Sequence, residues 1–359
     1  MKISIIGTVG LPSRYGGFET LVEYITKNLN QNFDITVYCS AKSYSEKLET
    51  YNNCRLHYIN LEANGMQSVI YDIRSIFHAL KYADVILILG VSGCVILPFI
   101  KLFSKKKFIV NIDGMEWRRK KWNRLAKWFL KFSERCAVSS ADEIIGDNNV
   151  IVSYVLDQYN KKANLIAYGG DHVKKINITK SLRIKYKFLK DSYAFKVCRI
   201  EPENNIEMIL EAFSKLSSKN LIIIGNWNNS DFGKKMKSKY CSLNNIFLLD
   251  PIYDQNILDQ FRSNCDYYIH GHSAGGTNPS LVEAMTLGLT TLCYDINYNV
   301  ETTENSALYF KSSDDLVNLI KSTSQEEIKQ IGYKMKDIAR VKYKWTTISN
   351  HYKGLFEKY

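Results

Sequence analysis

Short apolar runs alternate with segments of helical periodicity along most of the chain. The first run, KISIIG, leads through a loop into a segment whose apolar positions, from Phe18 to Leu29, recur at helical spacing. Further apolar runs predict strands at residues 35–39, 56–60, 84–90, 108–114 and 143–147. Strands that alternate with helices are typical of a parallel, doubly wound sheet, in which ligands bind at the carboxyl ends of the strands.

A second series of the same kind follows a basic, poorly patterned stretch from Gly170 to about Ser192, which we interpret as a link. A chain of 359 residues is too long for one compact core and fits two domains. We therefore predict two doubly wound, Rossmann-like α/β domains over residues 1–180 and 190–340, with a ligand-binding cleft between them. The strands predicted for the second domain lie at residues 194–200, 221–225, 246–250, 266–271 and 290–295.

Net charge and cysteine content narrow the class of protein. The formal charge is +12, and the excess peaks between Lys101 and Lys131, so the N-terminal half is expected to face something anionic. The eight cysteines include no CxxC pair, which indicates reduced thiols in a cytoplasmic protein. The run from Val85 to Phe103 contains glycine, proline and lysine, and it predicts a buried strand and a helix rather than a membrane span.

The segment GGTNPSLVEAM, from Gly275 to Met285, carries the clearest binding signal. It follows a predicted strand, and Pro279 at a first helical position with Asn278 as N-cap predicts a helix start. Such a junction directs backbone N–H groups and the positive end of a helix at one point, which suits a phosphate. Glu283 lies just over one turn into this helix, placed to accept hydrogen bonds from ribose hydroxyls. The alternative is a plain turn followed by a solvated glutamate.

Glycines and charged residues mark other predicted strand ends. Gly16 and Gly17 precede the first helix and permit close approach of a bulky ligand, or form a tight turn with no ligand. Asp113 either accepts a hydrogen bond from a substrate hydroxyl or forms an ordinary Asp-Gly turn. Arg199 suits a diphosphate, the alternative being a surface ion pair with nearby glutamates. The first loop lacks GxGxxG spacing, which argues against a NAD-dependent dehydrogenase.

The stretch EWRRKKWNRLAKWFLKF, residues 116–132, is both basic and aromatic. Drawn as one helix, it places Trp117 and Trp128 with most other apolar side chains on one side. The other side carries the basic residues Lys120, Arg124, Lys127 and Lys131. This pattern is typical of an interfacial helix docked on an anionic bilayer, the alternative being a buried helix with a solvated basic face. Nucleic acid would attract the same charge, but no recognition module accompanies it.

Together these motifs resemble the GT-B glycosyltransferases of retaining family 4. The landmarks are GGFETLVEYITKNL, VCRIEPENNIEMILEAF, LIIIGNW, NPSLVEAM and the closing helix WTTISNHYKGLFEKY. The resemblance implies two Rossmann-like domains and a final segment, residues 341–359, that packs back on the N-terminal domain. More narrowly, GLPSRYGGFET, NIDGMEWRRKKWNRLAKWFLKFSE, RIEPENN and HGHSAGGTNPSLVEAM resemble bacterial rhamnosyltransferases that build capsular and other surface polysaccharides.

This resemblance also implies substrates and roles. The C-terminal domain would bind dTDP-L-rhamnose and the N-terminal domain a sugar on undecaprenyl diphosphate, with anomeric retention, on the cytoplasmic face of the cell membrane. No metal or other cofactor is expected, because the sequence contains no DxD motif. Asp113 and Arg199 are the expected catalytic residues. The expected donor-binding residues are Gly16, Gly17, Arg199, Asn204, His272, Gly276, Thr277, Asn278, Ser280 and Glu283.

Two positions depart from the family pattern. Gly275 stands where the family has a glutamate that contacts the donor sugar, and Asn204 stands where it has a lysine. The missing glutamate suits a deoxy sugar or indicates lost activity; His272 nearby is either a substitute sugar contact or a structural histidine. A nucleotide-sugar 2-epimerase of the same fold and a non-catalytic membrane-associated subunit are the alternative functions.

Overall fold

The computed structural model describes residues 1–14, 16–119 and 122–359. The chain forms two compact units, one of Met1–Tyr168 with Trp345–Tyr359 and the other of Gly169–Lys344. Each unit is built on a parallel, doubly wound sheet, which confirms the predicted α/β class.

The first unit has eight strands in the order β3-β4-β2-β1-β5-β6-β7-β8, parallel except for the short β3 against β4. The strands are β1 (Lys2–Ile6), β2 (Asp34–Ser40), β3 (Thr50–Tyr51), β4 (Cys54–Ile59), β5 (Val85–Leu89), β6 (Lys107–Asn111), β7 (Glu143–Gly146) and β8 (Asn164–Leu165). The helices are α1 (Gly17–Leu29), α2 (Gln67–Ala79), α3 (Leu97–Ile100), α4 (Arg124–Ser140) and α5 (Asn149–Tyr159).

The second unit has six strands, all parallel, in the order β11-β10-β9-β12-β13-β14. Its elements in chain order are α6 (Lys180–Lys185), β9 (Tyr193–Val197), α7 (Ile206–Ser214), β10 (Asn220–Ile224), α8 (Asp231–Tyr240), β11 (Ile246–Leu249), α9 (Gln255–Ser263), β12 (Tyr267–His270), α10 (Pro279–Thr286), β13 (Thr291–Tyr294), α11 (Asn297–Thr302), β14 (Leu308–Phe310), α12 (Ser313–Ser322) and α13 (Gln325–Lys342). Its central strands are apolar at successive positions because helices cover both faces of the sheet.

The last helix, α14 (Trp345–Phe356), belongs to the first unit and packs on α1. Its apolar side chains join the same buried core as β1, β2 and β5. The Trp345 ring stacks on Tyr24 with centroids 4.6 Å apart, and the Asn28 amide donates a 2.9 Å hydrogen bond to the Ser349 hydroxyl. The core of the first unit is therefore assembled from segments more than 300 positions apart.

The basic stretch that follows Gly170 is part of the second unit. The backbone N–H of Lys174 donates to the Asp259 carboxylate at 2.9 Å, and that of Thr179 donates to the Gln260 side chain at 2.9 Å. Residues 169–192 thus pack on α9, whereas the sequence predicted a link there. Leu182 and Leu189 of this segment also join a buried core of the second unit.

The basic, aromatic stretch at residues 116–132 is not one helix, which corrects the expectation from its pattern. A 3₁₀ turn spans Glu116–Arg118, and α4 begins at Arg124. Asn123 caps α4, because its side chain accepts a 2.9 Å hydrogen bond from the Ala126 N–H. Within the described ranges, no helix has the length and apolarity needed to cross a membrane.

Candidate functional site

In the second unit the strongest candidate site lies at the carboxyl ends of β9 and β12. These strands are neighbours in the sheet, and the chain builds outward from β9 in one direction and from β12 in the other. Such a topological switch point is where doubly wound folds bind ligands. Arg199 and Asn204 follow β9, and residues 272–280 follow β12, so the topology brings these predicted residues to one edge of the sheet.

The helix after β12 begins as its sequence predicted. Asn278 is the N-cap of α10, and Pro279 occupies the first helical position. The Asn278 carboxamide oxygen accepts hydrogen bonds from the Ser280 N–H at 3.1 Å and the Ser280 hydroxyl at 2.7 Å. Thr277 and Gly276, just before the cap, are buried. This junction orients backbone N–H groups in the way that anion binding at a helix start requires.

Asn204 and His272 are joined in the structure. The Asn204 side-chain N–H donates to the Arg199 carbonyl at 2.9 Å, so its oxygen is left to accept from His272 Nδ1–H at 3.1 Å. Both side chains are buried. In a neutral ring with hydrogen on Nδ1, Nε2 is an acceptor. Asn204, at the position of the family lysine, therefore orients the His272 ring.

His272 lies beside the glycine that replaces the family's first glutamate. Gly275 has φ of +107°, and a Cβ built there would lie 3.3 Å from His272 Nε2. The predicted proximity of His272 to the vacated position is confirmed. Any side chain at residue 275 would meet both this ring and an unfavourable backbone conformation.

Glu283 is enclosed by an ionic network. The alternative of a solvated glutamate after a plain turn is therefore not realised. One carboxylate oxygen accepts from Arg262 at 2.5 Å, and the other lies 3.2 Å from His172 Nε2. Arg262 also donates to Asp259 at 3.0 Å. Burial by itself raises the pKa of Glu283, but the Arg262 charge and the His172 hydrogen bond outweigh it and hold that pKa below its usual value. Each oxygen keeps a further lone pair for a ligand hydroxyl.

Arg199 is exposed and makes no ion pair with any residue in the described ranges. The alternative of a surface ion pair with the neighbouring glutamates is therefore not realised here. Its guanidinium is available at the edge of the sheet to a ligand that carries negative charge.

The residues that sequence reasoning missed are His172, Asp259 and Arg262. Asp259 and Arg262 stand three positions apart on α9, a spacing that favours an ion pair on one helix face. That spacing was a detectable signal, whereas nothing in the sequence connects either residue with Glu283.

In the first unit, Asp113 lies two residues beyond the end of β6 with φ of +56°, a conformation rare for a residue with a side chain. Its N–H donates to the Asn111 side chain at 3.1 Å, and Asn111 in turn donates to the Tyr352 hydroxyl at 3.2 Å. Burial, Asp147 and Asp113 together raise the pKa of the Tyr168 hydroxyl well above its usual value. Asp113 thus belongs to a polar cluster at the carboxyl edge of the first sheet.

Gly16, which precedes α1, has a structural use, and Gly17 is the first residue of that helix. Gly16 has φ of +134°, and Glu19, on the first turn of α1, folds back over it. The Glu19 carboxylate accepts hydrogen bonds from the Val9 N–H at 2.7 Å and the Thr8 hydroxyl at 3.0 Å. This bond pair fixes the loop that follows β1, where the sequence predicted contact with a bulky ligand.

Replacing Gly16 with alanine should lower the free energy of unfolding by about 1–3 kcal/mol. A Cβ at this position would lie 1.8 Å from the Glu19 carboxylate, which would have to leave Thr8 and Val9. Urea unfolding of both variants measures the effect against Gly354→Ala, because Gly354 lies in α14 and an added Cβ there would have no atom within 4 Å. Alanine in that helix should be neutral or slightly stabilising, and equal losses in the two variants would contradict the explanation.

The predicted docking residues divide into two groups. Trp117 and Lys131 turn inward: the Trp117 ring N–H donates to Glu134 at 3.1 Å, and the Lys131 ammonium lies 4.6 Å from the Trp117 ring centroid and 3.2 Å from Glu134. The Tyr154 and Tyr159 hydroxyls also donate to Glu134. The assignment of Trp117 and Lys131 to a membrane-facing side is thus corrected, because a buried carboxylate attracts both.

The other predicted docking residues are placed differently. Arg124 and Trp128 are exposed on α4, and Lys127 is half-buried. Lys120 lies outside the described residues. Among the described residues no group of three or more His, Cys, Asp or Glu side chains is arranged to hold a metal ion; the expectation that no metal is needed stays a prediction.

Two protein-family models match the chain in succession. Residues 1–171 match the family described as "Domain of unknown function (DUF1972)", and residues 177–340 match "Glycosyl transferases group 1". No curated protein matches the sequence.

Solved structures resemble the chain over nearly its whole length. Sucrose-phosphate synthase from Thermosynechococcus elongatus has a TM-score of 0.82 at 13% identity, covering 99% of this chain and 98% of its own. HepE from Anabaena in complex with UDP-glucose has a TM-score of 0.77 at 14% identity, covering all of both chains. The α,α-trehalose 6-phosphate synthase of Burkholderia multivorans has a TM-score of 0.72 at 10% identity, covering 99% of this chain and 96% of its own. At these identities the likeness shows the fold.

Proposed function

We propose, starting from the match of residues 177–340 to glycosyl transferases group 1 within a GT-B glycosyltransferase fold, a sugar transfer reaction. The protein transfers a sugar from a nucleoside diphosphate to a lipid-linked saccharide. The donor we propose is dTDP-L-rhamnose, the product keeps the anomeric configuration, and the polysaccharide belongs to the bacterial surface. The observation that carries the proposal is the meeting of Arg199, the His272 ring and the start of α10 at one switch point.

The chemistry that these groups support is departure of a diphosphate. The bond between the sugar's anomeric carbon and the diphosphate oxygen breaks, the acceptor hydroxyl oxygen bonds to that carbon, and its proton leaves. Negative charge grows on the diphosphate, and Arg199 and the N–H groups before α10 would stabilise it there. Glu283 would accept hydrogen bonds from the ribose while Arg262 keeps it ionised. Asp113 would orient the acceptor in the first unit.

The choice of a deoxy sugar rests on Gly275 and His272. A carboxylate at residue 275 would offer several lone pairs to sugar hydroxyls, whereas glycine offers none and the His272 ring beside it has a single further nitrogen, Nε2. A sugar with one hydroxyl fewer leaves fewer donors to satisfy in a buried site. UDP-glucose, with which HepE was solved, is the donor to compare, because glucose carries the one hydroxyl that a deoxy sugar such as rhamnose lacks.

Arg199→Ala should weaken nucleotide binding by about tenfold or more, since a charge-assisted hydrogen bond contributes about 1.5–3 kcal/mol. Calorimetry with dTDP measures this, and Arg340→Ala is the matched control because Arg340 is an exposed arginine of the same unit. Equal affinity in the two variants would remove Arg199 from the site.

Transfer itself is tested with dTDP-rhamnose, UDP-glucose and a lipid-linked saccharide, with products identified by mass. Release of dTDP that requires the acceptor supports the proposal. Isomerised sugar nucleotide formed without acceptor would instead indicate a 2-epimerase. Absence of nucleotide binding and of any product would indicate a non-catalytic subunit, and glucosyl product alone would overturn the choice of rhamnose.

A further inference from the structure

Two neighbouring elements of the first unit expose large apolar side chains to solvent. The turn that includes and follows α3 exposes Phe99, Leu102 and Phe103 by 63%, 82% and 60%. The α4 helix, which packs on α3, exposes Leu125, Trp128 and Phe132 by 79%, 68% and 44%. We call these six residues the α3–α4 surface. Apolar side chains exposed singly are ordinary, but a cluster on two packed elements indicates a binding surface.

The α4 contribution is a stripe along one side of the helix. Leu125, Trp128 and Phe132 follow each other at spacings of three and four, so they share a face. The Trp128 and Phe132 rings lie nearly parallel with centroids 5.8 Å apart. The adjoining face is buried, and the Ser133 hydroxyl there donates to the Val91 carbonyl at 2.5 Å. The apolar stripe is therefore held outward by the packing of the rest of the helix.

The α3 contribution was not predicted from the sequence. Leu97 and Ile100 are fully buried and anchor this short helix, which turns Phe99 to solvent. The Phe99 and Phe103 rings meet edge to face with centroids 5.1 Å apart. Two aromatic pairs, one on each element, thus stand exposed without a covering segment in the described ranges.

The exposed charge that α3, α4 and the segment between them carry is of one sign. The exposed charged residues of the described chain between residues 97 and 140 are all basic: Lys105, Arg118, Arg124 and Arg135. The acidic residues there are not exposed. Glu134 is buried among tyrosines, and Glu116 pairs with Arg119 at 2.7 Å. An apolar stripe with tryptophan, together with basic residues on the same elements, fits the interface of an anionic bilayer.

We infer that the α3–α4 surface docks the protein on an anionic lipid bilayer, with α4 lying in the plane of the headgroups and the α3 turn inserted beside it. This rests on the proposed function, because a lipid-linked acceptor would be reached from such a membrane-bound position. It also redefines the predicted docking set: Phe99, Leu102 and Phe103 join Trp128, while Trp117 and Lys131 are structural.

The test is co-sedimentation of the full chain with vesicles of phosphatidylcholine, with or without phosphatidylglycerol. The triple variant Phe99→Ser, Leu102→Ser, Phe103→Ser should partition onto the anionic vesicles about tenfold less than the parent protein. The matched control is Met66→Ser, Ile70→Ser, Phe77→Ser, which removes three exposed apolar side chains from the α2 region of the same unit and should partition like the parent. Circular dichroism and melting confirm that both variants are folded.

A second readout reports on α4 directly. Tryptophan fluorescence of the parent protein should shift to shorter wavelength on anionic vesicles, and Trp128→Phe should abolish most of that shift. No binding by the parent protein, equal losses in the two triple variants, or equal binding to neutral and anionic vesicles would overturn the inference. Failure of glycosyl transfer with normal vesicle binding would count against the proposed function alone. Transfer to a soluble acceptor without vesicle binding would count against the docking surface alone.

Discussion

Replacing Arg262 with methionine should lower the free energy of unfolding by about 3–5 kcal/mol, although the two side chains are similar in size. Arg262 is 1% exposed and bridges two carboxylates, Asp259 at 3.0 Å and Glu283 at 2.5 Å. Asp259 would keep hydrogen bonds from Gln255 and the Lys174 N–H, but Glu283 would keep only part of its network. A buried carboxylate that loses its cation bears the full cost of desolvation.

The effect of Arg262→Met has a defined pH dependence. The pKa of Glu283 is held below its usual value in the folded protein, so the stability it contributes is present above the unfolded pKa and is lost as pH falls through the folded one. The deficit of the variant, measured by urea unfolding, should therefore shrink below about pH 4.5. The double variant Arg262→Met, Glu283→Gln should recover part of the loss at neutral pH. A double variant as unstable as the sum of its single changes would contradict this coupling.

Asp72→Asn should stabilise the protein on the order of 4 kcal/mol at pH 7. Asp72 lies on α2, is 4% exposed, and has no cation beside it among the described residues. Burial raises the pKa of its carboxyl to about 8, an effect that a hydrogen bond from the Gly93 N–H only partly opposes. Unfolding at pH 7 therefore releases a proton, and stability falls as pH rises from the unfolded pKa of 3.8 towards 8. Asparagine imitates the neutral acid and has no proton to lose.

The measurement is the difference in unfolding free energy between Asp72→Asn and the parent protein from pH 4 to pH 8, expected to grow with pH. Asp142→Asn is the control of opposite sign. Burial raises the pKa of Asp142, but hydrogen bonds from Lys101 and the Phe108 N–H outweigh it and hold that pKa below its usual value. Replacing Asp142 with asparagine should lower the free energy of unfolding at neutral pH. A constant Asp72→Asn difference across this range would contradict the assignment of a neutral, buried acid.

The fold and the start of α10 were predictable because their signals are local. Strands buried on both faces appear as continuous apolar runs, as at residues 85–89 and 220–224. The Asn278 cap and Pro279 determine where α10 begins through hydrogen bonds within three residues. The short strands β3, β8 and β14 were missed, since two or three residues carry no measurable period.

The surroundings of the candidate site were less predictable because they depend on distant partners. The sequence predicts Glu283 as a ribose contact or a solvated glutamate, but its partner Arg262 lies 21 positions away and His172 more than 100. Lys131 fits the basic face of an amphipathic helix, but Glu134 and Tyr154 compete for its ammonium. The apolar residues after α3 fit a buried pattern until packing shows which of them the core has room for.

The assignment of α14 to the first unit has a consequence for synthesis on the ribosome. Domains made early generally fold before later ones emerge. Here five residues of α14 complete a core whose other members precede residue 169: Trp345, Ile348, Tyr352, Leu355 and Phe356. The nascent first unit therefore cannot complete its core until the entire second unit has been translated, and the apolar side chains that α14 covers stay exposed until then. The unit made first is therefore the one finished last, and a chaperone would find its binding site there.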